Sequence, residues 1–111
     1  MREDGALVVL TTVADEAAAD VLSRRLVEER LAACVTRAAV KSTYRWQGEV
    51  ETSSEQLLVI KSAAGCWERL RARIRELHDY DVPEILAIEA ARVDAAYRSW
   101  LLEAVGVGAT R

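Results

Sequence analysis

The sequence predicts an α+β fold of the split β-α-β, ferredoxin-like type, with a long β-hairpin and an extra C-terminal helix. Three observations support this class. Segments typical of strands and helices follow one another in the order β-α-β-β-α-β-α. The 111 residues contain no linker or repeat, which fits a single domain over residues 1–111. Hydrophobic residues make up 51% and charged residues 30%, the composition of a chain that buries a core.

The first two elements are predicted to be a central strand and a helix. The run Ala6–Val13 is short, continuous and rich in β-branched residues, which is typical of a strand buried on both faces. Asp15 is a candidate N-cap for a helix that runs to Leu31. Its apolar positions recur at helical spacing: Ala18, Val21, Leu22 and Leu26.

A long hairpin is predicted next, with arms at residues 32–46 and 49–61 joined by Gln47 and Gly48. Valine, threonine, tyrosine and tryptophan favour strands in both arms. Gly48 can adopt the positive φ that a tight turn needs. Residues 57–60 are apolar enough for burial on both faces, whereas the polar residues 49–55 predict a half-exposed segment.

The C-terminal half predicts two helices and a short strand. A helix runs from residue 65 to about His78, with an apolar stripe formed by Cys66, Leu70, Ile74 and Leu77. Pro83 prevents its continuation, and residues 85–88 form the last strand. Asp94 can cap a third helix whose apolar face carries Tyr97, Trp100, Leu101 and Ala104. We expect the tail from Gly106 to be frayed.

Two features predict assembly with a partner subunit. The first and third strands are apolar on both faces, although the first two helices cover only one of them. The hairpin arms, about 14 residues each, would reach roughly 46 Å, whereas a chain of this length has a radius of gyration near 13 Å. An overhanging hairpin would be an exposed edge that a neighbouring copy can cover, and closed cyclic symmetry is the usual outcome.

Composition excludes several classes of function. A net charge of −3 argues against a nucleic-acid partner, and no apolar run approaches the roughly 20 residues that span a membrane. Cys34 and Cys66 are too few for a disulfide framework and too far apart for a zinc motif, so we expect buried, reduced thiols and a cytoplasmic location. The common nucleotide-binding, nucleophile and metalloprotease motifs are absent, so we predict no enzymatic activity and no required cofactor.

One polar cluster, residues 77–84, contains side chains that could bind a metal ion. His78 is the only histidine, and with the nearby carboxylates and Tyr80 it offers nitrogen and oxygen ligands to a divalent ion. Alternatively, His78 only interacts with the C-terminus of its helix. Lys61 closes an apolar strand and is either a snorkelling side chain or an anion ligand. Tyr44, Trp46 and Trp100 are either packing aromatics or ligand stackers.

Several motifs in register carry a family resemblance. They are VEERLAACV (residues 27–35), STYRWQGE (42–49), EQLLVIK (55–61), RIRELHDYDVPEI (73–85) and YRSW (97–100). The sequence resembles the CutA family of divalent-cation tolerance proteins over nearly its whole length. The resemblance implies a homotrimer similar in architecture to the PII proteins, with divalent metal, copper first, as a ligand.

The resemblance also implies which residues form the site. His78 and Glu84, on either side of Pro83, are the predicted metal ligands, and Lys61, Tyr80 and Trp46 are the candidates for a ligand pocket. The sequence departs from the family at Asp79, where proline is usual. It also has Thr11 and Thr12 where some members carry a cysteine, which weakens the case for a soft-metal site.

These observations lead to a hypothesis and two alternatives. We expect a cytoplasmic homotrimer that binds a divalent metal such as copper and is not an enzyme. The first alternative is a PII-like signalling trimer that binds a small ligand in clefts between subunits, lined by Lys61, His78, Tyr80 and Glu84. The second is an enzyme using His78 as acid and base, which no nucleophile or oxyanion motif supports.

Overall fold

The secondary structure follows the predicted order of strands and helices. The computed structural model describes Arg2 and residues 4–106. Its elements are β1 (Ala6–Val13), α1 (Glu16–Glu28), β2 (Cys34–Trp46), β3 (Glu49–Ala63), α2 (Trp67–Leu77), β4 (Leu86–Glu89) and α3 (Ala95–Ala104), with a short 3-10 turn before α2. The strands form one antiparallel sheet in the order β2-β3-β1-β4, which confirms the ferredoxin-like class and the central place of β1. Within the described residues, no helix is long and apolar enough to cross a bilayer.

The main core lies between the sheet and helices α1 and α2. Alternate residues of β1 and β3 face the helices because side chains along a strand alternate between the two faces. The fully buried members are Leu7, Val9, Leu22, Leu26, Leu58, Ile60, Leu70 and Ile74. The predicted helical stripes face the core at these positions, but Val21, also predicted in the α1 stripe, is 55% exposed, and Ala19 is buried instead. Asp15 caps α1 by accepting from the Ala18 N–H at 2.9 Å.

The opposite face of the sheet, which we call the open face, is less covered than predicted. We expected β1 and β3 to be buried on both sides, but Leu10 and Val59 are only half-buried. Leu86 and Ile88 of β4, on the same face, are 52% and 49% exposed. The helix α3 packs instead at one end of the sheet, against Ala6, Ala33, Ala63 and Cys66.

The hairpin formed by β2 and β3 extends beyond the rest of the sheet. β1 pairs with β3 only up to Gln56, so the seven register pairs from Val40–Glu55 to Trp46–Glu49 have no third strand beside them. At about 3.4 Å per residue this overhang is roughly 20–25 Å long. The predicted overhang of the hairpin is confirmed, and the molecule has a long axis of 50 Å. Gln47 and Gly48 both have positive φ, 50° and 84°, which suits a tight hairpin turn.

Helix α1 ends three residues earlier than predicted. Arg30 adopts a left-handed conformation with φ of 59°, and the Leu31 N–H then bonds back to the Leu26 carbonyl at 2.9 Å. The Arg30 N–H bonds to the Val27 carbonyl, which completes a Schellman motif. This motif usually uses glycine, so the sequence carried no obvious stop signal. The predicted frayed tail lies, from residue 107 on, outside the described residues.

Candidate functional site

The turn between α2 and β4 brings the predicted site residues towards the base of the overhanging hairpin. The helix ends at Leu77 because His78 leaves helical geometry, with ψ of 140°. The chain then passes through Tyr80 and Pro83 before it enters β4 at Leu86. Tyr80 reaches β3 on the hairpin, and His78 reaches the end of β1.

Both ring nitrogens of His78 are engaged by backbone groups. Nε2 lies 2.8 Å from the carbonyl oxygen of Thr12, and since a carbonyl only accepts, Nε2 carries the proton. Nδ1 accepts a hydrogen bond from the Tyr80 N–H at 3.1 Å. This arrangement selects the neutral tautomer with hydrogen on Nε2. A metal ion could bind His78 only if the ring gave up one of these bonds.

Tyr80 and Glu55 form the tightest side-chain contact in this region. The phenol of Tyr80 donates to Oε2 of Glu55 at 2.6 Å. Burial raises the pKa of Tyr80 well above its ordinary value, and the hydrogen bond to Glu55 raises that pKa further. Glu55 is only 8% exposed, although the sequence predicted a half-exposed segment there. The prediction is wrong at Glu55 alone, because Tyr80, 25 positions away, covers the carboxylate, whereas most of residues 49–54 are exposed.

A groove of about 710 Å³ lies beside this contact, and we call it the hairpin groove. It is lined by the hairpin, the end of β1 and the turn before β4: Thr12, Ser42, Thr43, Tyr44, Trp46, Glu55 and residues 80–84. Three of the five predicted site residues, Trp46, Tyr80 and Glu84, therefore lie in one groove. Glu55 and Tyr44 also line the groove, although the sequence did not single them out for the ligand pocket. Glu55 lies two residues from Leu57 on β3, and Tyr44 lies two residues from Trp46 on β2. Because side chains alternate between the faces of a strand, this spacing could have placed Glu55 on the face of Leu57 and Tyr44 on the face of Trp46.

Lys61 and His78 lie elsewhere. Lys61 is at the far end of β3, where its Nζ donates to Thr36 Oγ1 at 2.7 Å and to the Val59 carbonyl at 3.3 Å. Thr36 Oγ1 also lies 3.9 Å from Cys34 Sγ, so this lysine sits in a small polar cluster on the open face. His78 lines a second cavity of about 380 Å³ between the start of α1 and the end of α2, and Tyr80 lines both this cavity and the hairpin groove.

The predicted pair of metal ligands is thus not gathered in one cavity. Glu84 lines the hairpin groove, whereas His78 faces the cavity beside α1. Over Arg2 and residues 4–106, no group of three or more histidine, cysteine, aspartate or glutamate side chains is placed to hold a metal ion. Both thiols, Cys34 and Cys66, are free. Metal binding at His78 and Glu84 stays a prediction.

Comparison with known proteins gives consistent results. The family model described as CutA1 divalent ion tolerance protein matches residues 7–104. A divalent-cation tolerance protein CutA from Thermus thermophilus is 45% identical over 100 residues, covering 89% of this chain and 97% of that relative. The protein of the same name from Pyrococcus horikoshii is 37% identical over 97 residues, covering 87% of this chain and 95% of that relative.

Solved structures of similar proteins share the architecture. A crystal structure of CutA from Xylella fastidiosa has a TM-score of 0.89 at 37% identity, covering 91% of this chain and 98% of that one. Crystal structures of Pyrococcus horikoshii CutA1 include one with a TM-score of 0.87 at 37% identity, covering 88% of this chain and 96% of that one. On the family-model match and these identities, the chain belongs to the CutA1 divalent ion tolerance protein family.

Proposed function

We propose that this chain assembles as a homotrimer and contributes to divalent-cation tolerance by binding a small ligand in the hairpin groove. The observation that carries the proposal is the groove itself, which brings together Trp46, Tyr80 and Glu84 from three parts of the chain. Membership of the CutA1 family supports the role in divalent-cation tolerance. The ligand-binding role corresponds to the PII-like alternative, and it includes no catalytic step.

The homotrimer is proposed from what a single chain leaves exposed. Leu86 and Ile88 on the open face, and Tyr44, Trp46 and Val50 on the overhang, are 40–66% exposed. Apolar surface of this kind, next to unpaired strand edges, is stabilised by burial against another copy. Light scattering should give about 37 kDa, three times the chain mass of 12.3 kDa. A stable monomer at micromolar concentration would contradict this part.

Copper binding is a second candidate function. Three carboxylates line the hairpin groove, Glu55, Asp81 and Glu84, and the family name concerns divalent ions. The donors of a single chain do not fit a resident copper ion, because copper favours nitrogen ligands and both nitrogens of His78 bond to the backbone. A copper site would therefore need donors from more than one chain or a rearranged His78.

Calorimetry and fluorescence can separate the two candidates. In calorimetry, copper(II) is titrated into the wild type, His78→Ala and Glu84→Gln. In fluorescence, nucleotides and metabolites are screened for a change in the emission of Trp46. The Trp46→Phe variant shows which part of the emission comes from Trp46. Copper affinity that falls in both variants supports a metal site at the predicted ligands. A metabolite that changes Trp46 emission, with copper affinity unchanged in the variants, supports the ligand-binding groove. No response to either class refutes the proposal.

The protein is further proposed to work in the cytoplasm, because its two cysteines are free thiols. Relatives occur in other compartments, such as the chloroplastic CutA protein of Arabidopsis thaliana, which is 38% identical over 96 residues. Fractionation of cells that express the chain without a tag would test the location. Recovery with membranes or outside the cytoplasm would contradict it.

A further inference from the structure

We propose that a cavity between the C-terminal ends of α1 and α3 binds a free aromatic α-amino acid. This cavity, which we call the α1–α3 cavity, has a volume of about 430 Å³. Its lining consists of Val27, Glu28, Arg30, Trp100, Glu103 and Ala104. None of these residues belongs to the hairpin groove or to the sheet, so the site is independent of the proposed function. Three features point to this ligand: unpaired charges of both signs, the ends of two helices and an exposed indole.

The α1–α3 cavity holds charges of both signs that do not pair with each other. Arg30 contributes a guanidinium, and Glu28 and Glu103 contribute carboxylates. None of these three side chains forms an ion pair within the described residues. Arg30 uses one N–H group to donate to the carbonyl of Ala104, at 3.4 Å. A ligand with one negative and one positive group, such as an α-amino acid, can pair with both signs at once.

Arg30 is the group that binds the carboxylate of this ligand. A guanidinium has five N–H donors in a planar fork, which matches the two oxygens of a carboxylate. The side chain is exposed, so the fork is accessible. The backbone does not require an arginine here, because glycine would adopt the left-handed φ of 59° without strain. A bound carboxylate gives the arginine a use that glycine could not provide.

The ends of the two helices favour the ammonium group of the ligand. α1 ends at Glu28 and α3 ends at Ala104, so the negative ends of two helix dipoles lie at the same cavity. The carboxylates of Glu28 and Glu103 add negative charge to that region. They repel a ligand that carries only negative groups and attract an ammonium group. The charges therefore favour a zwitterion over a simple carboxylic acid or a phosphate.

Trp100 provides the surface for an aromatic side chain. It is 47% exposed, and Tyr97 packs against it with the ring centroids 5.5 Å apart, which orients the indole. Val27, which is 42% exposed, adds an apolar side chain to the lining. The sequence alone leaves open whether Trp100 packs or stacks on a ligand, and its exposure at this cavity favours stacking. The volume of about 430 Å³ is in the range of small-molecule sites.

The direct test is a calorimetric titration of the assembled protein with L-phenylalanine. Saturable binding is expected, with a dissociation constant on the order of 1 mM or lower. Three analogues each lack one group: phenethylamine has no carboxylate, phenylpropionic acid has no ammonium group and glycine has no ring. Each should bind more weakly by on the order of tenfold. No binding of phenylalanine at millimolar concentration would overturn the inference, as would equal affinity for phenylalanine and any of the analogues.

A pair of arginine variants tests the carboxylate contact. Arg30→Gly removes the guanidinium and suits the left-handed backbone, so the variant should fold and should bind phenylalanine more weakly by on the order of tenfold. Arg24→Ala is the matched control, because Arg24 is an exposed arginine of α1 outside the lining. Its affinity should stay within about twofold of the wild type. No loss in Arg30→Gly, or equal losses in the two variants, would overturn the role of Arg30.

Two further variants test the ammonium contact and the location of the site. Glu103→Gln should weaken phenylalanine by roughly threefold and should not weaken phenylpropionic acid, which has no ammonium group. Equal losses for both compounds would overturn the ammonium contact. Trp46→Phe should bind phenylalanine as the wild type does, because Trp46 lines the hairpin groove instead. Weaker binding in Trp46→Phe would overturn the location, and the proposed function would then gain an amino acid as its ligand.

Discussion

Replacement of Tyr80 by phenylalanine should destabilise the protein by about 2 kcal/mol. The change removes the phenol that donates to Glu55 Oε2 at 2.6 Å, and it keeps the ring, whose centroid lies 4.7 Å from that of His78. A hydrogen bond to a charged group contributes roughly 1.5–3 kcal/mol, and a half-buried bond belongs in the lower part of that range. The cost is high for one hydroxyl because Glu55 is left buried without its donor.

Tyr44→Phe provides the matched control in the same groove. The Tyr44 hydroxyl lies 3.2 Å from Ser53 Oγ, but this bond joins neutral groups and is exposed. Its loss should cost no more than about 0.5 kcal/mol. Both variants should be unfolded in guanidinium chloride at several equal protein concentrations, because the stability of an oligomer depends on concentration.

A double-mutant cycle with Glu55→Gln isolates the contact itself. If the phenol and the carboxylate interact directly, the two single changes should be non-additive by about 1 kcal/mol or more. A loss in Tyr80→Phe no greater than in Tyr44→Phe would refute this reasoning, as would additive effects in the cycle.

The raised pKa of Tyr80 adds a second readout at high pH. Because folding raises this pKa above the ordinary tyrosine value of 10.0, the phenol contributes stability that is fully present below pH 10. That contribution is lost as the pH rises above 10, when the unfolded chain ionises more readily than the folded one. The stability difference between the wild type and Tyr80→Phe should therefore shrink in alkaline solution.

Three further predictions concern stability, each measured by guanidinium unfolding. Arg30→Gly should stabilise by roughly 0.5 kcal/mol, because glycine adopts the left-handed conformation at the end of α1 without strain; a destabilised variant would show that the Arg30 side chain matters more. Thr11→Val should stabilise by about 1 kcal/mol, because the fully buried Thr11 hydroxyl has no hydrogen-bond partner within the described residues, and a loss of stability would contradict that. Glu29→Gln should be less stable than the wild type at pH 7, because the hydrogen bond from Arg73 lowers the pKa of Glu29 in the folded chain. The ionised carboxylate therefore stabilises the fold above pH 4.5, the pKa of Glu29 in the unfolded chain, and this stabilisation is lost in acid. The stability difference between the two proteins should shrink as the pH falls below 4.5. A difference that does not depend on pH would contradict this account.

The order of elements could be predicted because it depends on local patterns along the chain. Continuous apolar runs rich in strand-favouring residues identify β1 and β3, and the 3.6-residue period identifies the stripes of α1 and α2. The cap residue of α3, Asp94, was also predicted, and it accepts from two N–H groups of that helix. The end of α1 was missed because the signal there is a conformation of Arg30 that arginine rarely adopts.

The site was predicted less completely, because its contacts join distant positions. Tyr80 and Glu55 are 25 residues apart, and His78 and Thr12 are 66 residues apart. A histidine at a helix end can equally bind a metal or bond to the backbone. Only the positions of the Thr12 carbonyl and the Tyr80 N–H show that both ring nitrogens are already engaged in this chain.

The distance between Lys61 and the hairpin groove within one chain follows from strand geometry alone. Lys61 and Glu55 have the same parity on β3, so both point towards the open face. Six residues separate them, however, and a strand rises about 3.4 Å per residue, which places them roughly 20 Å apart. Once the hairpin motif around Trp46 is assigned to the far end of the same strand pair, Lys61 lies too distant to share the groove of its own chain, and its place in a cleft between subunits stays a prediction. The absence of that cation leaves the groove lined by carboxylates, and its negative charge therefore follows from the length of the hairpin.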